Sequence, residues 1–502
     1  MFEHASRSAI RLGVIVPLSL IALGCDDPAA NSGDAGVHPA ADGGEHATSH
    51  AGTGGSGGSA GKAGSGQAGS SGQGGKAAAG SDAGAGHASG GGGAGGSSKQ
   101  VERASLAADT HPTIEDQVYA TLITQLNHFG LELGRRQEED NKLTDQNSAY
   151  SPLSAAYALS MTYAGARTDT AKEMASVLAG GIDANTYHSG MNRLARELAS
   201  RALEQPSKSG NPQRIELNLA DAVYVDDALG LQADFLNELS RNYDSGVHRE
   251  DFQHAFEPAR MHINDWVADK THDKIQNLLP AGSLSENTRL VLVNALYFYG
   301  SWNTAFSPSS TSDAEFHALD GKTVNVPTMH KELSLRHATG AGFAAVELPY
   351  VGGHLHMTVV LPDAGQLETV RKAVSGDWLT KLHASATPNA VRIALPKFKL
   401  TTSSFSLSNS LKAMGMNAPF TDKADFTGIT SDQGLQLSDV IQKAFIAVDE
   451  NGTEAAAATA ATVTATSVAV DVIDFTVDRP FLFFIEDDNG IVLFSGHIVN
   501  PA

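Results

Sequence analysis

Beyond residue 108 the apolar positions follow two spacings. Ile123, Leu126, Phe129 and Leu133 recur every three or four residues, which predicts an amphipathic helix. Ser151-Pro152 predicts the start of a second. Serine can accept hydrogen bonds from free backbone N–H groups, and proline needs no donor in the first turn. Ala156, Leu159 and Tyr163 give that helix its buried side. Thr170 with Glu173 has the pattern of a capping box ahead of a third helix carrying Met174 and Leu178. From about Arg289 the texture changes. Leu290 to Val293 is a continuous apolar run, and Val391, Ile393 and Leu395 alternate with Arg392 and Ala394, as strands do. Phe481 to Ile485 and Ile491 to Phe494 flank Asp488-Asn489-Gly490, where Asn-Gly supplies the positive backbone angles of a tight hairpin. Helices first and strands later, without regular alternation, predict an α+β fold with large mixed or antiparallel sheets.

The first hundred residues lack this patterning. About half of the 51 glycines fall between Cys25 and Lys99, among Ser and Ala and with almost no large apolar side chain. Such a segment buries too little apolar surface to offset the entropy of ordering its backbone, so residues 25–108 are expected to be a disordered tether. Residues 1–24 have the features of an export signal, with Arg7 and Arg11 ahead of the apolar stretch Leu12 to Leu23. That stretch is too short for a stable transmembrane helix. Ala22-Leu23-Gly24-Cys25 resembles a bacterial lipobox, although the position three before the cysteine is usually Leu. The resemblance implies that Cys25 is acylated as a lipid anchor, with the Gly/Ser tether giving reach from the membrane. An ordinary signal peptide with an incidental cysteine is the alternative. One globular domain is then expected over 109–502, in an exported, extracellular or cell-surface protein. Its formal net charge of -21, with no basic patch, disfavours nucleic acid and anionic membranes as partners. Any membrane contact is therefore expected only through Cys25. A single cysteine excludes intrachain disulfides.

One segment does not fit a quiet core. Glu450-Asn451-Gly452-Thr453-Glu454 leads into Ala455, Ala456, Ala457 and Ala458, then a run of Thr, Ala and Val as far as Val470. Alanines favour helix, and the Thr and Val that follow favour strand. Conflicting preferences in an uncharged run of small residues suggest a segment that occupies more than one conformation. Composition alone also fits a buried strand or a surface loop.

Glu450-x-Gly452-Thr453-Glu454-Ala455-Ala456-Ala457-Ala458 is similar to the hinge of the reactive-centre loop in inhibitory serpins. Other motifs of that family follow in order. They are Asn147-x-x-x-Ser151-Pro152-Leu153-Ser154, Asn264-x-Trp266-Val267, Leu292-Val293-Asn294-Ala295 through Trp302, Leu395-Pro396-Lys397-Phe398, and Arg479-Pro480-Phe481-Leu482-Phe483. The resemblance runs from about residue 115 to Val499. It implies the serpin fold and a suicide-substrate inhibitor of serine proteases. The protease cuts the exposed loop, forms a covalent acyl-enzyme, and is carried across the molecule as the loop enters the main sheet.

With a period of two, Thr453, Ala455, Ala457, Thr459, Ala461 and Val463 are expected to point to the sheet face covered by the overlying helix. The resemblance also makes Ser151, Ser154 and Asn294 a shutter beneath the sheet. Gln442 stands there in place of the usual His, which removes any pH sensitivity from an imidazole. Glu450 with Lys397, beside Trp302, is implied as an ion pair at the sheet's top, the breach. Counting from the hinge puts the scissile bond at Thr466-Ser467, and counting back from Pro480 puts it at Ala469-Val470. Both are small and uncharged, which favours elastase-like or subtilisin-like targets.

A non-inhibitory serpin acting as a surface binding module, or an inhibitor of a cysteine protease, is the alternative. An enzyme is not expected. Gly-x-Ser-x-Gly-like strings lie only in the tether, no phosphate-cradling loop follows a strand, and the 19 histidines show no metal-ligand spacing. No catalytic residue, metal or cofactor is therefore predicted, and a monomer is expected.

Overall fold

The structure is a computed structural model that describes residues 101–206, 212–432, 434–453 and 471–502. The expected signal segment, the tether to residue 100, Cys25, Ala455 to Ala458, and both candidate scissile bonds at Thr466-Ser467 and Ala469-Val470 lie outside them.

Four helices, Asp116–Asp140, Pro152–Tyr163, Thr168–Leu178 and Ala184–Ala199, precede the first long strand. The first buries Ile123, Leu126, Phe129 and Leu133. The second begins at Pro152, and the Ser151 hydroxyl accepts from the Ser154 N–H at 3.1 Å. It is buried on every side, so small Ala and Ser occupy much of its surface. The third starts at Thr168, ahead of the expected cap, and Thr170 and Glu173 serve tertiary contacts instead. The buried Thr170 hydroxyl accepts from the Asp425 N–H at 2.9 Å, and Glu173 accepts from the N–H groups of Asn417 and Ala418 at 2.7 and 2.6 Å.

Two large sheets hold the strands. The path through the main sheet runs Val101–Glu102, Val247–Glu250, Gln213–Asp226, Leu290–Ser301, Gly452–Thr453, Phe445–Asp449, Phe398–Thr401. Among the described residues, packed structure thus includes Val101 and Glu102, ahead of the expected domain start at 109. Val101 and Glu102 pair antiparallel with His248 and Val247, and the Glu102 carboxylate accepts from Arg249 at 2.6 Å. So short a strand, with one apolar residue, carries no periodic signal. The second sheet runs Ile473–Thr476, Thr387–Pro396, Thr323–Gly340, Phe343–Pro349, Leu355–Pro362, Phe481–Asp487, Val492–Ile498, Ser148–Tyr150.

The tail hairpin forms where expected, but with different turn chemistry. Only Gly490 has positive φ (+85°), and the register shifts at Ile485/Glu486, so a three-residue loop with a bulge replaces a two-residue primed turn.

The strand Leu290–Ser301 is central and buried on both faces. Leu290, Leu292, Leu296 and Phe298 join the inner core between the sheets, while Val291, Val293 and Ala295 pack with Phe252, Ile263 and Val267 of the overlying helix Phe252–Lys270. This two-sided burial explains its continuous apolar run. No helix among the described residues is long and apolar enough to cross a membrane.

Candidate functional site

The central strand has different neighbours along one flank. At its start Leu292–Asn294 pair parallel with Val440–Gln442. At its far end Gly300 and Ser301 pair antiparallel with Thr453 and Gly452, which pair in turn with Val448 and Asp449. Between these ends, among the described residues, neither Ala295–Tyr299 nor Phe445–Ala447 has a ladder partner on the facing flank. Gly452 and Thr453 thus form a two-residue strand wedged into the middle of the sheet.

Glycine is required at the wedge. A Cβ on Gly452 would lie 1.9 Å from the Gly300 carbonyl oxygen. Thr453 is 1% exposed, and its hydroxyl hydrogen-bonds the Tyr350 hydroxyl at 2.6 Å. Tyr350 stacks on Trp302 with ring centroids 4.7 Å apart and planes 9° apart. The Trp302 indole N–H donates to the Asp449 carbonyl at 3.0 Å, and its backbone N–H to that of Asn451 at 2.8 Å. Thr453 therefore points into the inner core, away from the helix-covered face expected from the sequence. The reason is register: Thr453 stands opposite Gly300, in phase with inward-facing Leu296 and Phe298.

Glu450 lies at the turn into the wedge. Lys397 Nζ donates to one of its carboxylate oxygens at 2.8 Å, and the Thr311 hydroxyl to the other at 2.8 Å. Burial pushes the Glu450 carboxyl up, but these donors outweigh it and hold the group below the usual range. The sequence showed no sign of Thr311 or Tyr350 in this cluster.

Below, where the parallel pairing closes the flank, Gln442 Nε2 donates to the Ser151 carbonyl at 2.9 Å and to Asn294 Oδ1 at 3.0 Å. The Ser151 hydroxyl caps its helix, so Ser151 meets Gln442 through its carbonyl. The Ser154 hydroxyl donates to Asp221 Oδ1 at 3.1 Å, and Asp221 stands directly across the ladder from Asn294. Ser151, Ser154, Asn294 and Gln442 are thus brought together, with an unforeseen fifth member. Burial pushes the Asp221 carboxyl well up, and the Ser154 hydroxyl and Ala295 N–H offset only part of this. Asp221 Oδ2 and Asn294 Nδ2 have no hydrogen-bond partner. Gln442 carries no ionisable group, but Asp221, on the other side of Asn294, does. A lone acid within the otherwise uncharged run Leu217 to Val225 was the available signal.

Helices packed on two large sheets, one of which holds the two-residue strand Gly452–Thr453 at its centre, define the fold class. Residues 124–501 match the family described as Serpin (serine protease inhibitor), and the chain belongs to the serpin family. It is 38% identical over 367 residues to Serpin-ZXA of Oryza sativa subsp. japonica, covering 71% of this chain and 90% of that protein. It is 35% identical over 385 residues to Iris of Ixodes ricinus, covering 76% and 99%. Among solved structures, native tengpin, a thermophilic serpin, aligns with a TM-score of 0.67 at 26% identity, covering 80% of this chain and 97% of tengpin. Uncleaved ovalbumin aligns with a TM-score of 0.65 at 25% identity, covering 76% and 100%. The family's general role is protease inhibition and not catalysis.

Proposed function

We propose that this chain is an inhibitory serpin, a suicide substrate that traps serine proteases by insertion of its cleaved loop into the main sheet. The observation that carries the reading is the wedge, in which Thr453 is already laddered between Gly300 and Val448 with its side chain turned inward. The loop's other end is held separately, because Ile473–Thr476 pair parallel with Val391–Ala394 of the second sheet. A cut between these anchors frees the first half while the wedge supplies its starting register. That register turns Ala455, Ala457, Thr459, Ala461 and Val463 toward the inner core, and all are small or β-branched. Some 15 inserting residues at about 1 kcal/mol per ladder hydrogen bond release on the order of 10 kcal/mol. This matches the stability of a whole domain, so insertion is effectively irreversible.

In this reading Glu450, Gly452, Thr453 and Ala455 to Ala458 act as hinge. Ser151, Ser154, Asn294 and Gln442, with Asp221, act as shutter, and Lys397 with Trp302 acts at the breach. The protease forms a covalent acyl-enzyme at Thr466-Ser467 or Ala469-Val470, where small uncharged side chains suit elastase-like or subtilisin-like specificity pockets. The inhibitor acts as a monomer outside the cell, held through acylated Cys25 and its tether. One experiment tests the core of this. The purified chain is mixed with elastase, run on a denaturing gel, and the released C-terminal peptide is weighed by mass spectrometry. A complex that survives denaturation is expected, and its peptide mass identifies the bond. Cleavage without any such complex rejects inhibition and supports a non-inhibitory binding module.

A further inference from the structure

The second sheet carries a cluster that loop insertion does not use. Glu347 comes from the strand Phe343–Pro349, His356 from its neighbour Leu355–Pro362, and Glu486 from Phe481–Asp487, where it stands directly across from His356. His383 reaches them from the last turn of the helix Gly376–Ser385. Its ring bridges two carboxylates, with Nδ1 2.9 Å from Glu347 Oε1 and Nε2 3.0 Å from Glu486 Oε1. His356 Nε2 is closed off from solvent without a hydrogen-bond partner, 3.7 Å from Glu486 Oε2. One ligand atom each from Glu347, His356 and His383 lie within 4.8 Å of one another.

We propose that Glu347, His356 and His383, with Glu486 beside them, bind one divalent cation of the zinc class. The donor set is imidazole nitrogen and carboxylate oxygen, which suits Zn²⁺. Calcium and magnesium take oxygen ligands almost exclusively. Bond lengths of about 2.0–2.1 Å bring tetrahedral donors to roughly 3.4 Å apart, so ligand atoms as far apart as 4.8 Å converge by about 1.4 Å on binding. The Glu347 and Glu486 carboxylates flank the His383 ring on its two sides and give a cation negative charge to meet. The outer contacts are those of an oriented site. The Thr358 hydroxyl donates to Glu486 Oε2 at 2.8 Å, and Arg336 Nε lies 3.0 Å from Glu347 Oε2. Arg336 opposes a cation by its sign, but its side chain is 48% exposed, so solvent screens part of its charge. A surface cavity of about 570 Å³, lined in part by Arg336, Glu347, His356, His383 and Glu486, gives a route in.

The test is calorimetric titration of ZnCl₂ into the full, untagged, chelator-washed chain, repeated with His356→Gln and Glu347→Gln. His356→Gln breaks no hydrogen bond at Nε2, and a circular dichroism melt checks that each variant remains folded. One equivalent of Zn²⁺ is expected to bind, each variant weakening it by about tenfold or more. The Co²⁺-loaded protein should show the visible bands of a four-coordinate nitrogen and oxygen site. Absence of binding up to millimolar Zn²⁺, or undiminished affinity in both folded variants, overturns the proposal. The second result would place the metal on other histidines.

Discussion

Replacing Thr453 by Arg puts the proposed mechanism under the most direct strain. Thr453 is 1% exposed, its hydroxyl is bonded to Tyr350, and its backbone is laddered on both sides. An arginine there must either bury its guanidinium beside the Tyr350 and Trp302 rings or withdraw the whole wedge. An uncompensated buried charge costs about 3–5 kcal/mol. Thr453 carries the first side chain that the inserting strand buries, so this cost falls on the step that starts insertion. At 1.36 kcal/mol per tenfold in rate, insertion slows by roughly a few hundred- to a few thousand-fold. The ~10 kcal/mol available from the complete strand still favours the inserted product. The outcome is therefore kinetic: the acyl-enzyme hydrolyses before the loop is taken up. Thr453→Arg should be cleaved at the parent's rate while releasing active protease, read on a denaturing gel and by recovered peptidase activity. Thr453→Ser, which keeps the hydroxyl for Tyr350, should still form complex. Equal complex yield from Thr453→Arg and the parent would refute both the wedge as starting point and the inhibitor reading.

Three further substitutions probe the surroundings. Tyr350→Phe leaves the buried Thr453 hydroxyl unpaired and should lower stability by about 1–2 kcal/mol in denaturant melts, with faster amide exchange at Thr453. Asp221 is raised by burial, so its favourable contribution is complete only below its unfolded pKa of about 3.9 and is lost as pH climbs through its native value. Asp221→Asn should therefore melt above the parent at pH 7–8, with the gap closing below about pH 4, and a gap that does not change with pH would argue against a buried carboxylate at the shutter. Glu450 is held low by Lys397 and Thr311, so its contribution is present above its unfolded pKa of about 4.3 and lost as pH falls through its native value. Lys397→Met should accordingly lower the melting temperature at pH 7 and narrow that deficit towards pH 3.

Elements whose signals are local could be read from the letters. Ser151-Pro152 caps its helix because the acceptor and the group it satisfies lie within one turn. Leu290 to Val293 and the paired apolar runs around Asp488-Asn489-Gly490 likewise report strands, since a short continuous apolar run is a property of one segment. Thr170 and Glu173 mislead for the opposite reason. Their hydroxyl and carboxylate have the right spacing for a cap, but Asp425, Asn417 and Ala418, remote in sequence, supply the donors. Glu450, Lys397, Gln442 and Asn294 were legible only through ordered family motifs, which carry information about contacts that no single segment contains.

The amino-acid order by itself determined the strongly patterned helices and strands, the α+β class, and the position of a small-residue run between two apolar segments, because propensity, patterning and capping act over a few residues. Tertiary structure decided the rest. Thr453 faces Tyr350 because its partner is Gly300, and Asp221 and Gln442 meet at Asn294 because their strands flank the central strand on its two sides. Glu347, His356, His383 and Glu486 meet only where three strands and a helix converge. Which side chains share a face, and which charges share a low-dielectric pocket, depends on pairing between distant segments, and no short stretch of chain encodes that pairing.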